Sequence, residues 1–223
     1  MCGRYTLRAR LNQLLQIYGA QSEVELMPRY NIAPTQDVAA VRSTADANAR
    51  ELVLLHWGLI PSWAKDPKIG NRMINARGET VAEKPSFRTA FKRRRCLVLA
   101  DGFYEWRKEG KAKQPYYIRM KDEAPIAFAG LWEHWKGNGL TIESCTIITT
   151  SANQLMSELH DRMPVILSGQ DIDTWLDQTI DDPEILQPML DPYPDDEMEA
   201  YPVSTLVNSP KHETSECIEP VAK

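Results

Sequence analysis

The chain has only four cysteines, at positions 2, 96, 145 and 217, and none forms a C-x-x-C pair. That spacing weakens zinc and redox readings. Long apolar runs are missing as well. The longest, such as Cys96-Leu97-Val98-Leu99-Ala100, fall far short of a membrane span. The start has no apolar h-region, and Arg4, Arg8 and Arg10 interrupt it, so no secretory signal is read there. A cytoplasmic, reducing location without a membrane partner is therefore expected, and Cys96 and Cys145, in strand-like apolar runs, read as buried small hydrophobes. There is no internal repeat and no linker, so residues 1–223 read as one domain, with an acidic and mobile tail from about residue 209. No metal or cofactor is called for, and a monomer is expected.

Charge is scarce in sum but not in distribution. The net charge is −5, yet residues 65–95 carry ten Lys or Arg against three acids, and residues 181–223 carry two basic residues against eleven acids. Because salt limits each charge to a reach of roughly 8–10 Å, a local basic surface suffices to gather phosphates. The run Lys92-Arg93-Arg94-Arg95 reads more simply as a solvated helix end.

The periodicities predict strands with interspersed helices and no regular βαβ alternation. An α+β fold follows, mainly an antiparallel β-sheet or barrel with flanking helices. A first strand covers Arg4 to Thr6, and a helix carries Leu11, Leu14, Leu15 and Tyr18 with Gly19 as its C-cap. Residues 29–35 read as an irregular loop around Pro34, and Ser86 as the cap of a short helix. Cys96 to Trp106 reads as one strand, joined to Tyr116–Met120 by a hairpin at Gly110. Tyr201 to Ser204 reads as the last strand.

Several stretches carry unusual chemistry. Cys2 follows the initiator methionine, and a small second residue permits methionine removal. The freed residue is a 1,2-aminothiol, with reference pKa values of about 8 for the amine and about 8.5 for the thiol. Such an amine condenses with an aldehyde, and the thiol closes the imine to a thiazolidine. Asn75 and Arg77 stand two apart, hence on one face of an extended segment. Glu105 sits between Tyr104 and Trp106, surroundings that suit a general acid or base. His160 lies at a helix end beside Arg162, and Trp57, Trp63 and Trp106 could stack bases. Each has an ordinary reading too: Glu105 as an arginine's partner, His160 as a helix cap, the tryptophans as core.

Together the stretches are more specific. Met-Cys-Gly-Arg at the start, Tyr-Asn-Ile-Ala-Pro-Thr at 30–35, Trp-Gly-Leu-Ile-Pro-Ser-Trp at 57–63 and Ile-Asn-Ala-Arg-Gly-Glu-Thr at 74–80 resemble the SOS-response-associated peptidase (SRAP) family. So do Asp-Gly-Phe-Tyr-Glu-Trp at 101–106, His-Asp-Arg-Met-Pro at 160–164 and Pro-Val-Ser-Thr-Leu-Val-Asn at 202–208. The resemblance implies a protein that crosslinks to abasic sites in single-stranded DNA. It makes Cys2 the nucleophile after loss of Met1, Asn75 its positioner, Glu105 a proton shuttle and His160 the holder of the sugar hydroxyl. Arg4, Trp57, Arg77, Trp106 and Arg162 become DNA contacts. The older peptidase label fits cleavage of the protein's own Met1, and lyase activity is a further expectation. Two alternatives stay open: an N-terminal-nucleophile hydrolase of the glutamine amidotransferase type, and a non-catalytic single-stranded nucleic-acid binding module.

Overall fold

The structure, a computed structural model, describes residues 2–44 and 49–221. In chain order the strands are β1 (Tyr5–Leu7), β2 (Ala20–Gln21), β3 (Arg29–Ile32), β4 (Asp37–Ser43), β5 (Arg50–Trp57), β6 (Asn75–Arg77), β7 (Arg95–Ala100), β8 (Gly102–Glu109), β9 (Ala112–Met120), β10 (Ile126–Gly137), β11 (Leu140–Ser151), β12 (Arg162–Pro164), β13 (Ile166–Leu167) and β14 (Met198–Pro202). Between them lie α1 (Leu11–Tyr18), α2 (Arg88–Arg93), α3 (Gln154–Ser157), α4 (Gln170–Leu176) and α5 (Pro183–Leu186). This is an α+β fold with mostly antiparallel sheets, as the sequence predicts.

Five strands close on themselves. β4 pairs with β5 and β7, β10 with β7 and β11, and β11 meets β5 again in parallel at Ser144↔His56 and Cys145↔Trp57. Closure leaves these strands without a free edge. β6 lies parallel on β11, with Asn75 opposite Ile147. The other sheet runs β14-β9-β8-β1-β3. Aromatic rings join the two layers: Tyr5 lies 5.2 Å from Trp57 and 5.9 Å from Phe128, and Phe103 lies 5.9 Å from Phe128. All four are fully buried, each contributing about 1.5–3 kcal/mol by leaving water.

The chain passes from barrel to sheet at Asp101, which splits the single strand expected over Cys96–Trp106 into β7 and β8. Its amide donates to the Thr6 carbonyl at 2.8 Å, and its carboxylate accepts from the Arg8 amide. The next residue must be glycine, because a Cβ at Gly102 would collide with Tyr117 and the Ile118 carbonyl. Burial pushes the Asp101 carboxyl up, while the Arg8 amide and guanidinium oppose the shift.

Other local predictions divide. Helix α1 buries Leu14 and Tyr18 and ends on Gly19 at φ 60°, whose amide reaches the Leu15 carbonyl. The hairpin turns through Gly110 at φ 63°, with Glu109 opposite Ala112. Cys96 and Cys145 are buried as expected. Residues 29–32, expected as loop, instead form β3 against β1. Helix α2 has Phe87, not Ser86, at its N-cap and no side-chain cap. The tail expected to be mobile is held along residues 209–221: Cys217 is buried, and the Glu213 carboxylate accepts from the Tyr30 and Asn31 amides and pairs with Arg29 at 3.1 Å. The basic run divides: Lys92 and Arg93 are exposed in the last turn of α2, as a solvated helix end requires, whereas Arg94 pairs with Glu133 at 2.9 Å and Arg95 is buried.

Candidate active site

The candidate catalytic side chains come from both layers and meet where the layers join. Pairing of Tyr5 with Phe103 lays the residues before β1 along β8, and the Tyr104 amide donates to the Arg4 carbonyl at 2.9 Å. Cys2 therefore lies close to the strand that carries Glu105. From the barrel, Asn75 Nδ2 donates to the Cys2 carbonyl at 2.7 Å. A backbone segment two residues from its start is thus fixed from both sides. Met1 lies outside the described residues.

Cys2 is completely buried, and burial pushes its thiol well above the ordinary range, with the Glu105 carboxylate adding to the shift. The reference value used for the free residue does not hold here. A thiol kept neutral is a poor nucleophile until a base takes its proton. Glu105, 3% exposed, is the carboxylate whose charge the thiol feels.

Beside Glu105 opens a cleft of about 480 Å³ lined by Glu105, Trp106, Lys113, His160 and Asn208. His160 lies past the end of α3, whose C-cap is Glu158 and not His160, with its amide donating to the Met156 carbonyl at 2.8 Å. Its Nδ1 accepts from the Arg162 amide at 3.0 Å, and in the neutral ring this leaves the proton on Nε2. Asp161 Oδ1, 2.8 Å from Nδ1 on an exposed side chain, pairs with the ring when it is protonated.

The five expected DNA contacts separate. Arg77 is exposed at the end of β6, two residues from Asn75 on an extended segment, as the spacing predicts. Arg162 stands on β12, its guanidinium donating to the Thr149 carbonyl at 2.6 Å and to both carboxylate oxygens of Glu79. Trp106 forms a cleft wall, its indole N–H donating to Asn208 Oδ1 at 2.7 Å. Trp57 is a correction: it is 0% exposed, packed on Tyr5 with its indole N–H on the Ile74 carbonyl at 2.9 Å, so it offers no face to a ligand. Trp63 by contrast is 59% exposed, beside Lys65, Lys68 and Arg72. Arg4 is engaged internally. Its Nη1 donates to Asn31 Oδ1 and to the Val207 carbonyl, both at 2.7 Å, and its guanidinium lies 6.0 Å from the Trp106 ring.

Sequence reasoning missed Asn31, Glu79, Lys113 and Asn208. Asn31 is wholly buried, and its Nδ2 donates to the carbonyls of Ser209 at 2.9 Å and His212 at 2.7 Å. Asn31, Glu79 and Asn208 all fall inside stretches that carried the family resemblance. Lys113 gave no signal, because a lysine next to a hairpin turn is common.

Fold and cleft together define an α+β fold in which the backbone of a buried cysteine, Cys2, is held by Asn75 near a cleft lined by Glu105 and His160. The chain belongs to the SOS response associated peptidase (SRAP) family, whose model matches residues 1–210. It is 47% identical over 224 residues to the abasic site processing protein YoqW of Bacillus subtilis (strain 168), covering 98% of this chain and 99% of the relative. It is 34% identical over 225 residues to the abasic site processing protein HMCES of Xenopus tropicalis, covering 86% of this chain and 65% of that longer protein. A crystal structure of a protein from Bacteroides thetaiotaomicron superposes with a TM-score of 0.89 at 30% identity, covering 99% of this chain and all of the other.

Proposed function

We propose that this protein senses and protects abasic sites in single-stranded DNA by forming a covalent crosslink through Cys2 once Met1 has been removed. The observation that carries the proposal is the convergence of Asn75 and Glu105 on Cys2 beside a cleft that holds His160. The opened sugar presents an aldehyde at C1′. The Cys2 amine adds to it, and loss of one water gives the imine. The thiol then adds across the C=N bond: sulfur bonds to C1′, the thiol proton ends on nitrogen, and the product is a thiazolidine. Asn75 fixes the cysteine backbone, so that amine and thiol enter already oriented. Glu105 carries protons, both in opening the sugar and in taking up the proton of a thiol that burial keeps neutral. His160 holds the sugar hydroxyl from Nε2. Arg77 and Arg162 bind phosphates, and Trp106 with Asn208 closes the cleft wall. The protein acts as a cytoplasmic monomer that joins the nucleoid when bound to DNA. Its peptidase activity is removal of its own Met1, and AP lyase activity accompanies an imine that fails to close.

Two measurements test this. Intact mass of an active preparation is expected to correspond to the chain beginning at Cys2, and a reactive preparation that uniformly retains Met1 rules out the aminothiol route. Glu105→Gln keeps the shape but removes the proton carrier. It should slow adduct formation on an abasic oligonucleotide by about a hundredfold or more, with DNA affinity nearly unchanged. An unchanged rate would take Glu105 out of the chemistry.

A further inference from the structure

Glu79 follows β6 in the turn Gly78–Thr80, and both of its carboxylate oxygens accept from Arg162, one of them at 3.0 Å. The Arg162 hydrogen bonds, with Arg77 adding through space, hold the Glu79 carboxyl below its ordinary value. One carboxylate thus lies under the influence of the two guanidinium groups assigned above to phosphate binding. A two-pronged arginine–carboxylate pair has the geometry of an arginine–phosphate pair. We propose that the Glu79 carboxylate is a built-in stand-in for a nucleic-acid phosphate, occupying the seat on the Arg162 guanidinium until the DNA backbone displaces it. This rests on the reading that these arginines contact phosphate.

Three features favour exchange over a fixed scaffold. Glu79 is 54% exposed while Arg162 is 14% exposed, so the acid is the partner free to leave. Arg162 is aimed independently of Glu79 by the Thr149 carbonyl, and its own amide is fixed on His160 Nδ1. A phosphate held at several other points as well competes for the same fork of guanidinium donors, because it offers the matching pair of acceptor oxygens. The consequence is selectivity. An arginine already paired contributes little to weak, non-specific capture of anions. Exchanging one anion for another also releases fewer counterions than neutralising a bare cation.

The test measures binding of a fluorescent single-stranded oligonucleotide lacking any abasic site, so that no adduct forms, over a series of salt concentrations. Glu79→Gln is expected to bind roughly two- to fivefold more tightly than the parent at low salt. The slope of log affinity against log salt should steepen by roughly 0.7, one added phosphate contact on a single strand. In a background of Arg162→Ala, Glu79→Gln should have little further effect. Binding by Glu79→Gln that is unchanged or weaker overturns the stand-in and makes Glu79 a scaffold or a bystander. The phosphate reading fails separately, and takes the stand-in with it, if Arg77→Ala and Arg162→Ala both leave affinity and salt slope as in the parent.

Discussion

Cys2→Ala is expected to abolish the heat-stable adduct with an abasic oligonucleotide without abolishing attack on the sugar. The variant keeps an α-amine at residue 2, so imine formation remains open, but no sulfur is available to close the ring. An imine hydrolyses, and it activates the neighbouring sugar carbon for loss of the 3′ phosphate by β-elimination. The variant should therefore yield nicked DNA and an imine that borohydride traps. Loss of one buried thiol removes little volume, an effect of about 1 kcal/mol by comparison with other small core truncations, so the fold should survive. Denaturing gels with and without borohydride provide the readout. A stable adduct formed by Cys2→Ala as fast as by the parent would move the nucleophile to another residue.

Arg95→Ala should produce the largest loss of stability. The guanidinium is 1% exposed and donates to five backbone carbonyls: Trp175 at 2.6 Å, Phe91 at 2.9 Å, Lys92 at 3.0 Å, Asp177 at 2.5 Å and Ile180 at 2.9 Å. It thereby serves the end of α2, the end of α4 and the loop after α4. Burial lowers its pKa to about 10, with Asp177 and Asp181 opposing, so it remains charged at neutral pH. Removing it strands several acceptors away from water, at a cost of about 3–5 kcal/mol. That is a large fraction of the roughly 5–15 kcal/mol that holds a typical domain folded. Arg95→Lys, with three donors at one point, should fall between parent and alanine. Urea unfolding monitored by tryptophan fluorescence measures both, and a loss below about 1 kcal/mol for Arg95→Ala would contradict the role given to the network.

Arg95 also shows what a sequence withholds. Four consecutive basic residues look alike in one dimension, and only the fold reveals that the last is desolvated while its neighbour pairs with Glu133. Trp57 is similar: the family resemblance makes it a DNA contact, but the parallel contact of β5 with β11 encloses it. That contact joins residues nearly ninety positions apart, and no local pattern encodes it. The break at Asp101 escaped because the flanking residues are apolar on both sides, so two strands in different sheets read as one. Legible from the start were features with local causes: the Gly19 cap of α1, the Gly110 hairpin, and the extended spacing of Asn75 and Arg77. Asn75, Glu105 and His160 were not specific one by one; they were named as candidates because the stretches that contain them together resemble one family.

The grip on Arg4 has a consequence for biosynthesis. Residues 2–4 leave the ribosome well before Val207, which holds the Arg4 guanidinium, and Glu213, which fixes the strand carrying Asn31. At roughly 5–20 residues per second, about 10–40 s of translation separates the two. During that interval the segment around Cys2 has neither its clamp nor the cleft wall at Asn208. Synthesis thus sets the order of events: the group proposed to react is made before the pocket that directs it is completed.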